Sequence, residues 1–164
     1  MIFQETYDLV LSRRKTQTRR VLKPGQRSVK NLAIKSVRGV TTYADALISD
    51  YVDGATLLAY VGQVRTVQPG RGKAGTRKIR ITGLREEDLW CISQSDIVAE
   101  GVTLPALTGI TASTIEDYKT EKIYEMMRAF WDLWDKIHGK TSYRAENNPR
   151  VVVYTFELID EVNK

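Results

Sequence analysis

The sequence predicts an α+β fold in which short strands form a small barrel or a strongly curved sheet with helices at its periphery. The hydrophobic patterns indicate more short strands than helices. The strands do not alternate regularly with helices, as they would in a doubly wound parallel sheet. With 164 residues, 42% of them hydrophobic and 27% charged, the chain has the size and composition of one globular domain. We therefore expect a single domain over residues 1–164.

A short helix and a strand are expected at the start of the chain. One helical face over residues 4–13 collects the apolar side chains Phe3, Tyr7, Val10 and Leu11. A strand follows over residues 16–22, and the turn-forming pair Pro24-Gly25 ends it.

The stretch 26–56 has the least regular pattern in the sequence. It carries weak strand signals over residues 33–40, and a short helix is one interpretation of residues 43–50. We expect this stretch to be the variable part of the fold.

Two strands flank a basic loop in the middle of the chain. The first covers residues 64–68, and the glycine-rich loop covers residues 69–75. Residues 77–84 alternate, with Ile79 and Ile81 on one face and polar side chains on the other, which predicts a half-buried strand.

Helix-capping signals mark two helices in the second half. Ser93 with Asp96 three residues later forms a capping box for a short helix, and Gly101 is a suitable left-handed cap at its end. Ser113 and Glu116 form a second capping box before a long helix.

The long helix and the last strand have the strongest periodicity. Apolar residues recur every three or four positions over about five turns, until Gly139. They are Ile123, Met126, Met127, Phe130, Trp131, Leu133, Trp134 and Ile137. This stripe is either a core face or an interface, so the oligomeric state stays open. The last strand covers residues 150–158, with alternate residues from Val152 to Leu158 on one face.

Charge is distributed unevenly along the chain, whose net charge is +5. Residues 1–80 contain 16 Lys and Arg against 5 Asp and Glu, whereas residues 81–164 contain 9 against 15. The basic excess lies mainly in residues 13–20 and 65–80. This asymmetry favours an anionic partner such as nucleic acid, although solvated strand and loop faces explain it equally well.

The composition excludes several classes of protein. One cysteine and one histidine allow neither an intrachain disulfide nor a zinc site of the His/Cys kind, and we expect no metal or other cofactor. No apolar run is long enough for a transmembrane helix, and no signal peptide is visible. We therefore expect a cytoplasmic protein with no membrane partner.

Four residues have side chains that could take part in catalysis or binding but are expected to have structural roles. Cys91 follows Trp90 and is expected to pack as a small hydrophobe. His138 lies at a helix end, where a cation stabilises the last carbonyls. Trp131 and Trp134 could stack on bases, but their place on or near the apolar stripe favours core packing.

The segment 15–20 combines a lysine, two threonines and two arginines. On a strand, Thr18 and Arg20 point to one face, while Lys15 and Arg19 point to the other. A lysine close to a threonine hydroxyl can act as a base if burial lowers its pKa. A bulge or twist near Thr16 would be needed to bring Lys15 and Thr18 together.

Residues 7–20 resemble the opening signature of the ASCH domain family, which reads Gly-x-Lys-x-x-Thr-x-Arg after an apolar helix. Lys15, Thr18 and Arg20 match this signature, and Arg13 stands in place of its glycine. The likeness continues downstream, outside residues 26–56, in several segments of the same order and spacing. These are Val61-Gly62, Val67 to Lys73, Ile79 to Thr82, Ile92-Ser93, Ala99-Glu100-Gly101, Phe130 to Gly139 and Asn148 to Phe156.

The resemblance, which is to bacterial and phage members, implies a PUA-like β-barrel that binds RNA or nucleosides in a cleft. One bacterial branch is an N4-acetylcytidine amidohydrolase whose catalytic Lys, Thr and Glu correspond to Lys15, Thr18 and Glu100. Other members are regarded as RNA-binding modules, and some as RNA-cleaving enzymes.

Three hypotheses follow. The first is a metal-free amidohydrolase of N4-acylated cytidine that uses Lys15, Thr18 and Glu100. The second is an RNA-binding module, or a single-stranded RNA nuclease whose cleft lacks histidine. In the third, the polar residues only hold the fold together. The residues expected to bind substrate or RNA are Arg19, Arg20, Arg71, Lys73 and Arg77.

Overall fold

Three helices and seven strands form within the part of the chain that the computed structural model describes, residues 1–37, 40–50, 54–102 and 115–159. The α+β class is therefore confirmed. In chain order the elements are α1 (Tyr7–Leu11), β1 (Gln17–Val21), β2 (Gln26–Val37), β3 (Val40–Ser49), β4 (Thr56–Tyr60), β5 (Val64–Val67), β6 (Arg77–Asp88), α2 (Gln94–Ala99), α3 (Ile115–His138) and β7 (Arg150–Ile159).

An antiparallel sheet of four strands, in the order β1-β7-β6-β5, forms the centre of the fold. Its inner strand β7 confirms the predicted last strand, but both of its faces are buried. Val151 and Val153 face the helices, while Val152 and Tyr154 face the other side. An unbroken apolar run of this kind is typical of a strand covered on both faces.

A second antiparallel sheet, in the order β2-β3-β4, contains most of the stretch 26–56, whose sequence pattern is the least regular. The helix considered for residues 43–50 is wrong, because these residues belong to the middle strand β3. Ala46, Leu47 and Ile48 are all buried. Three successive buried residues suit a strand that has a neighbour on each side and is covered on both faces.

The first residues of the chain connect the two edges of the central sheet. The Phe3 amide donates to the Gln68 carbonyl just after β5, and the Gln68 amide donates to the Met1 carbonyl, both at 2.9 Å. On the opposite edge, the Arg20 guanidinium in β1 donates to the Ile2 carbonyl. The central sheet therefore curves enough for one short segment to contact both of its edge strands.

The helices α2 and α3 cover the face of the central sheet to which Val151 and Val153 point. Met126, Phe130 and Trp134 of α3 pack with the valines of β7, so this part of the apolar stripe is a core face, whereas Ile123 and Ile137 at its ends are exposed. The predicted capping box at residues 113–116 lies outside the described residues. Among the helices that the structure describes, none combines the length and apolar character needed to cross a membrane.

The short helix α2 has both of the predicted caps. The Ser93 hydroxyl accepts from the Asp96 amide at 3.2 Å, and the Asp96 carboxylate accepts from the Ser93 amide at 3.3 Å. Gly101, just beyond the helix, has a φ of +85°. These caps fix where α2 ends and therefore where Glu100 lies.

Candidate functional site

A cleft of about 330 Å³ lies along the outer edge of β1. One wall is the N-terminal segment, residues 2–6, and the opposite wall is the C-terminal half of α3, from Phe130 to His138. Between these walls lie five of the residues that the sequence singled out: Lys15, Thr18, Arg19, Arg20 and Glu100.

Lys15 and Glu100 form a buried ion pair in this cleft. The Lys15 Nζ lies 2.5 Å from Glu100 Oε2 and donates to the Glu100 carbonyl at 2.8 Å. Each residue is only 4% exposed. Burial lowers the pKa of the Lys15 ammonium, although the Glu100 carboxylate opposes this effect. The arrangement therefore holds a lysine that gives up its proton more easily than an exposed lysine does.

The pairing of β1 with β7 has no register shift, so a bulge is not what brings Lys15 into the cleft. The pairing of β1 with β7 is regular from Gln17 to Val21. Lys15 precedes the strand, and its amide donates to the Leu9 carbonyl at 2.9 Å. Because Lys15 lies outside the strand, alternation does not set its direction, and its side chain reaches the same cleft as Thr18.

Glu100 reaches Lys15 because the end of α2 closely approaches the chain before β1. The Thr16 amide donates to the Ala99 carbonyl at 2.8 Å. A Cβ atom placed on Gly101 would lie 3.0 Å from Leu9 Cδ1 and 3.2 Å from the Cβ of Lys15. Glycine at position 101 thus allows both the positive φ and the close contact.

Arg19 binds three carboxylates instead of facing a free site. Its guanidinium lies 3.0 Å from Glu100, 2.6 Å from Glu87 and 3.1 Å from Asp96, and its side chain is fully buried. Arg85 bridges Glu87 and Asp96 from the outer side, at 3.0 Å from each. This network makes Arg19 a positioning residue for Glu100.

Thr18 and Arg20 lie on the other face of β1. Thr18 is only 5% exposed, and it lines the cleft. The Arg20 guanidinium lies 5.8 Å from the centroid of the Phe3 ring and lines the cleft. Both groups can therefore bind a molecule in the cleft.

His138 is a cleft residue that the sequence analysis placed elsewhere. Its ring stacks on Trp134 at a centroid distance of 4.3 Å, and both residues line the cleft. Burial and the nearby Arg20 lower the pKa of the His138 imidazole. The expectation that the cleft lacks histidine is wrong. Helical spacing is a signal that could have placed His138 beside Trp134, because Phe130, Trp134 and His138 follow one another at intervals of four residues and share one helix face.

The remaining predicted binding residues lie outside the cleft. Arg71 and Lys73 are exposed in the turn between β5 and β6, and Arg77 is half-buried at the start of β6. Cys91 is exposed, which corrects the expectation that it packs in the core.

The carboxylates of the cleft are not grouped as metal ligands usually are. Within the described ranges, no set of three or more His, Cys, Asp or Glu residues is arranged to hold a metal ion. Both Glu100 oxygens are already engaged, one by Lys15 and one by Arg19.

Neither a protein-family model, nor a curated protein, nor a solved structure matches this chain.

Proposed function

We propose that this chain is an ASCH-type nucleoside amidohydrolase that removes the acyl group from N4-acylated cytidine. The observation that carries the proposal is the buried Lys15–Glu100 pair, which lies in the same cleft as Thr18. A lysine of lowered pKa, a hydroxyl and a carboxylate are the groups that acyl transfer without a metal requires.

The proposed reaction consumes one water and yields cytidine and a carboxylic acid. Neutral Lys15 accepts the Thr18 hydroxyl proton while the Thr18 oxygen attacks the acyl carbon and forms a tetrahedral oxyanion. The proton passes through Glu100 to N4 as the carbon–nitrogen bond breaks, which leaves the acyl group on Thr18. Lys15 then deprotonates a water, which attacks the ester carbon; as the bond from that carbon to the Thr18 oxygen breaks, Lys15 returns the proton to this oxygen and the carboxylic acid leaves. If Thr18 instead orients the water for direct attack, the products are the same.

Two features outside the cleft support an ASCH-type, PUA-like barrel. Arg13 has a φ of +61°, and it stands where the family signature has glycine, the residue best suited to that conformation. The N-terminal segment, which contacts both edges of the central sheet, supports the closure of that sheet toward a barrel.

The proposal is tested by incubating the pure protein with N4-acetylcytidine and measuring cytidine by chromatography. We expect turnover in the wild type and a loss of at least about 100-fold in Lys15→Ala, since general base catalysis contributes about 10²–10⁴-fold. Lys30→Ala is the matched control, because Lys30 is an exposed lysine paired with Asp45 on the second sheet. Equal turnover in Lys15→Ala and the wild type would exclude the proposed mechanism.

RNA binding is the second candidate function, and one observation favours it. The exposed cations Arg71, Lys73 and Lys78 around the turn between β5 and β6 have no carboxylate partner among the described residues. Unpaired cations on an exposed glycine-containing turn suit contacts with a nucleic-acid backbone. The presence of His138 in the cleft also removes the objection that a ribonuclease would lack a histidine.

A further inference from the structure

Among the lysines and arginines that line the cleft, Arg20 makes no ion pair with a carboxylate of the described residues. Lys15 pairs with Glu100, Arg19 with three carboxylates, and Lys136 with Glu5 at 2.5 Å. The Arg20 guanidinium donates there only to a neutral carbonyl, that of Ile2. The Glu100 carboxylate attracts Arg20 electrostatically, but its two oxygens are bound by Lys15 and Arg19.

Charges of both signs act near Arg20, since Arg65 and the Met1 amino group add positive charge and Glu100 adds negative charge. Arg65 and the Met1 amino group are close enough to act electrostatically on the same region, and both donate to neutral carbonyls. Tyr154 lies two positions from Val152, the β7 partner of Arg20. The positive charges of Arg65 and Arg20 both act to lower the pKa of Tyr154, against the effect of burial. A half-buried guanidinium with free N–H groups in a low-dielectric cleft is stabilised when an anion binds it.

We propose that Arg20 forms a phosphate subsite and that the substrate is an N4-acylated cytidine 5′-monophosphate. This inference rests on the proposed function, which provides the nucleoside. The planar guanidinium matches a phosphate bidentately, and Lys15, Thr18 and Glu100 in the same cleft remain available for the acyl group. A volume of about 330 Å³ lies at the small end of ligand pockets, which favours a mononucleotide over an RNA strand.

The first experiment compares kcat/KM for N4-acetylcytidine and for its 5′-monophosphate in wild type and Arg20→Gln. We expect kcat/KM of the wild type to be about tenfold or more higher for the monophosphate, because this is the effect of one charge-assisted hydrogen bond. Arg20→Gln should lose this preference, and Arg20→Lys should keep part of it. Arg80→Gln, which removes an exposed arginine from β6, is the matched control for net charge and should keep the preference.

Several outcomes would overturn the proposal. One is a wild type that does not prefer the monophosphate, and another is a preference that survives Arg20→Gln. An equal loss on both substrates would assign Arg20 to the oxyanion instead of the phosphate. Faster turnover of a trinucleotide with a central N4-acetylcytidine would identify RNA as the substrate.

A binding measurement separates failure of this inference from failure of the proposed function. Calorimetry with cytidine and with cytidine 5′-monophosphate needs no turnover. Tighter binding of the monophosphate that disappears in Arg20→Gln would support the subsite even if neither acylated compound were hydrolysed. Equal binding of cytidine and its monophosphate would contradict the subsite regardless of the catalytic result.

Discussion

Lys15 and Glu100 are 85 positions apart in the chain, yet their charged groups are 2.5 Å apart in the cleft. Burying two charges costs free energy, which their attraction offsets only when further hydrogen bonds satisfy both. Here Glu100 receives a second cation from Arg19, and the Lys15 ammonium also donates to a carbonyl. The pair is thus held in a geometry that suits proton transfer between its members.

The rate of hydrolysis should depend on the protonation of Lys15. Only the neutral amine can act as a base, so the rate should increase with pH through the Lys15 pKa and then reach a plateau. Because burial lowers this pKa, the increase should be centred below about 10.4, the ordinary value for lysine. A pH profile of kcat/KM checks this, and an increase centred at or above the ordinary value would contradict it.

Unfolding measurements provide a control that needs no substrate. Between the folded pKa of Lys15 and about 10.4, the unfolded chain binds more protons, so the free energy of unfolding should increase with pH. Lys15→Met should lack this increase. Denaturant titrations of both proteins across that range measure the difference, and parallel curves would show that the Lys15 pKa is not lowered.

At the scale of elements, the end of α2 determines whether the site can form. Gly101 has a positive φ, and a Cβ atom at this position would crowd Leu9 and Lys15. The helix itself has only six residues, so its own hydrogen bonds contribute little, and its caps and tertiary contacts hold it. A change at Gly101 should therefore be transmitted directly to Glu100.

Gly101→Ala should lower both stability and activity. The positive φ alone costs about 1–2 kcal/mol for an alanine, and the crowded Cβ adds to this cost. Gly72→Ala is the matched control, because Gly72 also has a positive φ, +74°, but a Cβ there would have no neighbour within 4 Å. Denaturant melts and hydrolysis assays should show a larger loss of stability and activity for Gly101→Ala than for Gly72→Ala. Equal losses in the two variants would show that crowding of the Cβ atom at position 101 has no effect.

At the scale of the whole molecule, part of the charge asymmetry is neutralised within the fold. Lys15 and Arg19 from the basic half pair with Glu87, Asp96 and Glu100 from the acidic half. The excess of charge in residues 1–80 therefore overstates the charge available to a partner. The exposed cations beside the turn between β5 and β6 have no carboxylate partner within the described ranges, so they are the surface that we propose for RNA.

RNA binding through this turn should depend on salt in a predictable way. Replacing Arg71 and Lys73 with Gln should reduce the slope of log K against log salt by about 1.4, since each phosphate contact to a single strand contributes about 0.7. The control replaces Arg27 and Lys30, which are paired with Asp50 and Asp45, and changes the net charge equally. Fluorescence anisotropy with single-stranded RNA measures both slopes, and an equal reduction in the control would contradict a local contact.

Local periodicity and capping signals predict part of the fold correctly. The strands β5, β6 and β7, the helix α3 and both caps of α2 follow from alternation, helical spacing and the Ser93–Asp96 pair. The spacing of Lys15, Thr18 and Arg20 also singled out residues that share one cleft, because it belongs to a short continuous segment.

Contacts between distant segments determine the features that local sequence patterns do not predict. Residues 43–49 form a strand because neighbouring strands pair with them on both sides. Within the described residues Arg19 forms ion pairs with three carboxylates and Arg20 with none, because Glu87, Asp96 and Glu100 of β6, α2 and its end gather around the Arg19 guanidinium. His138 reaches the cleft because α3 packs across the sheet. In each case, burial and ion pairing between distant segments determine the position of the residue, and local sequence patterns contain no information about either.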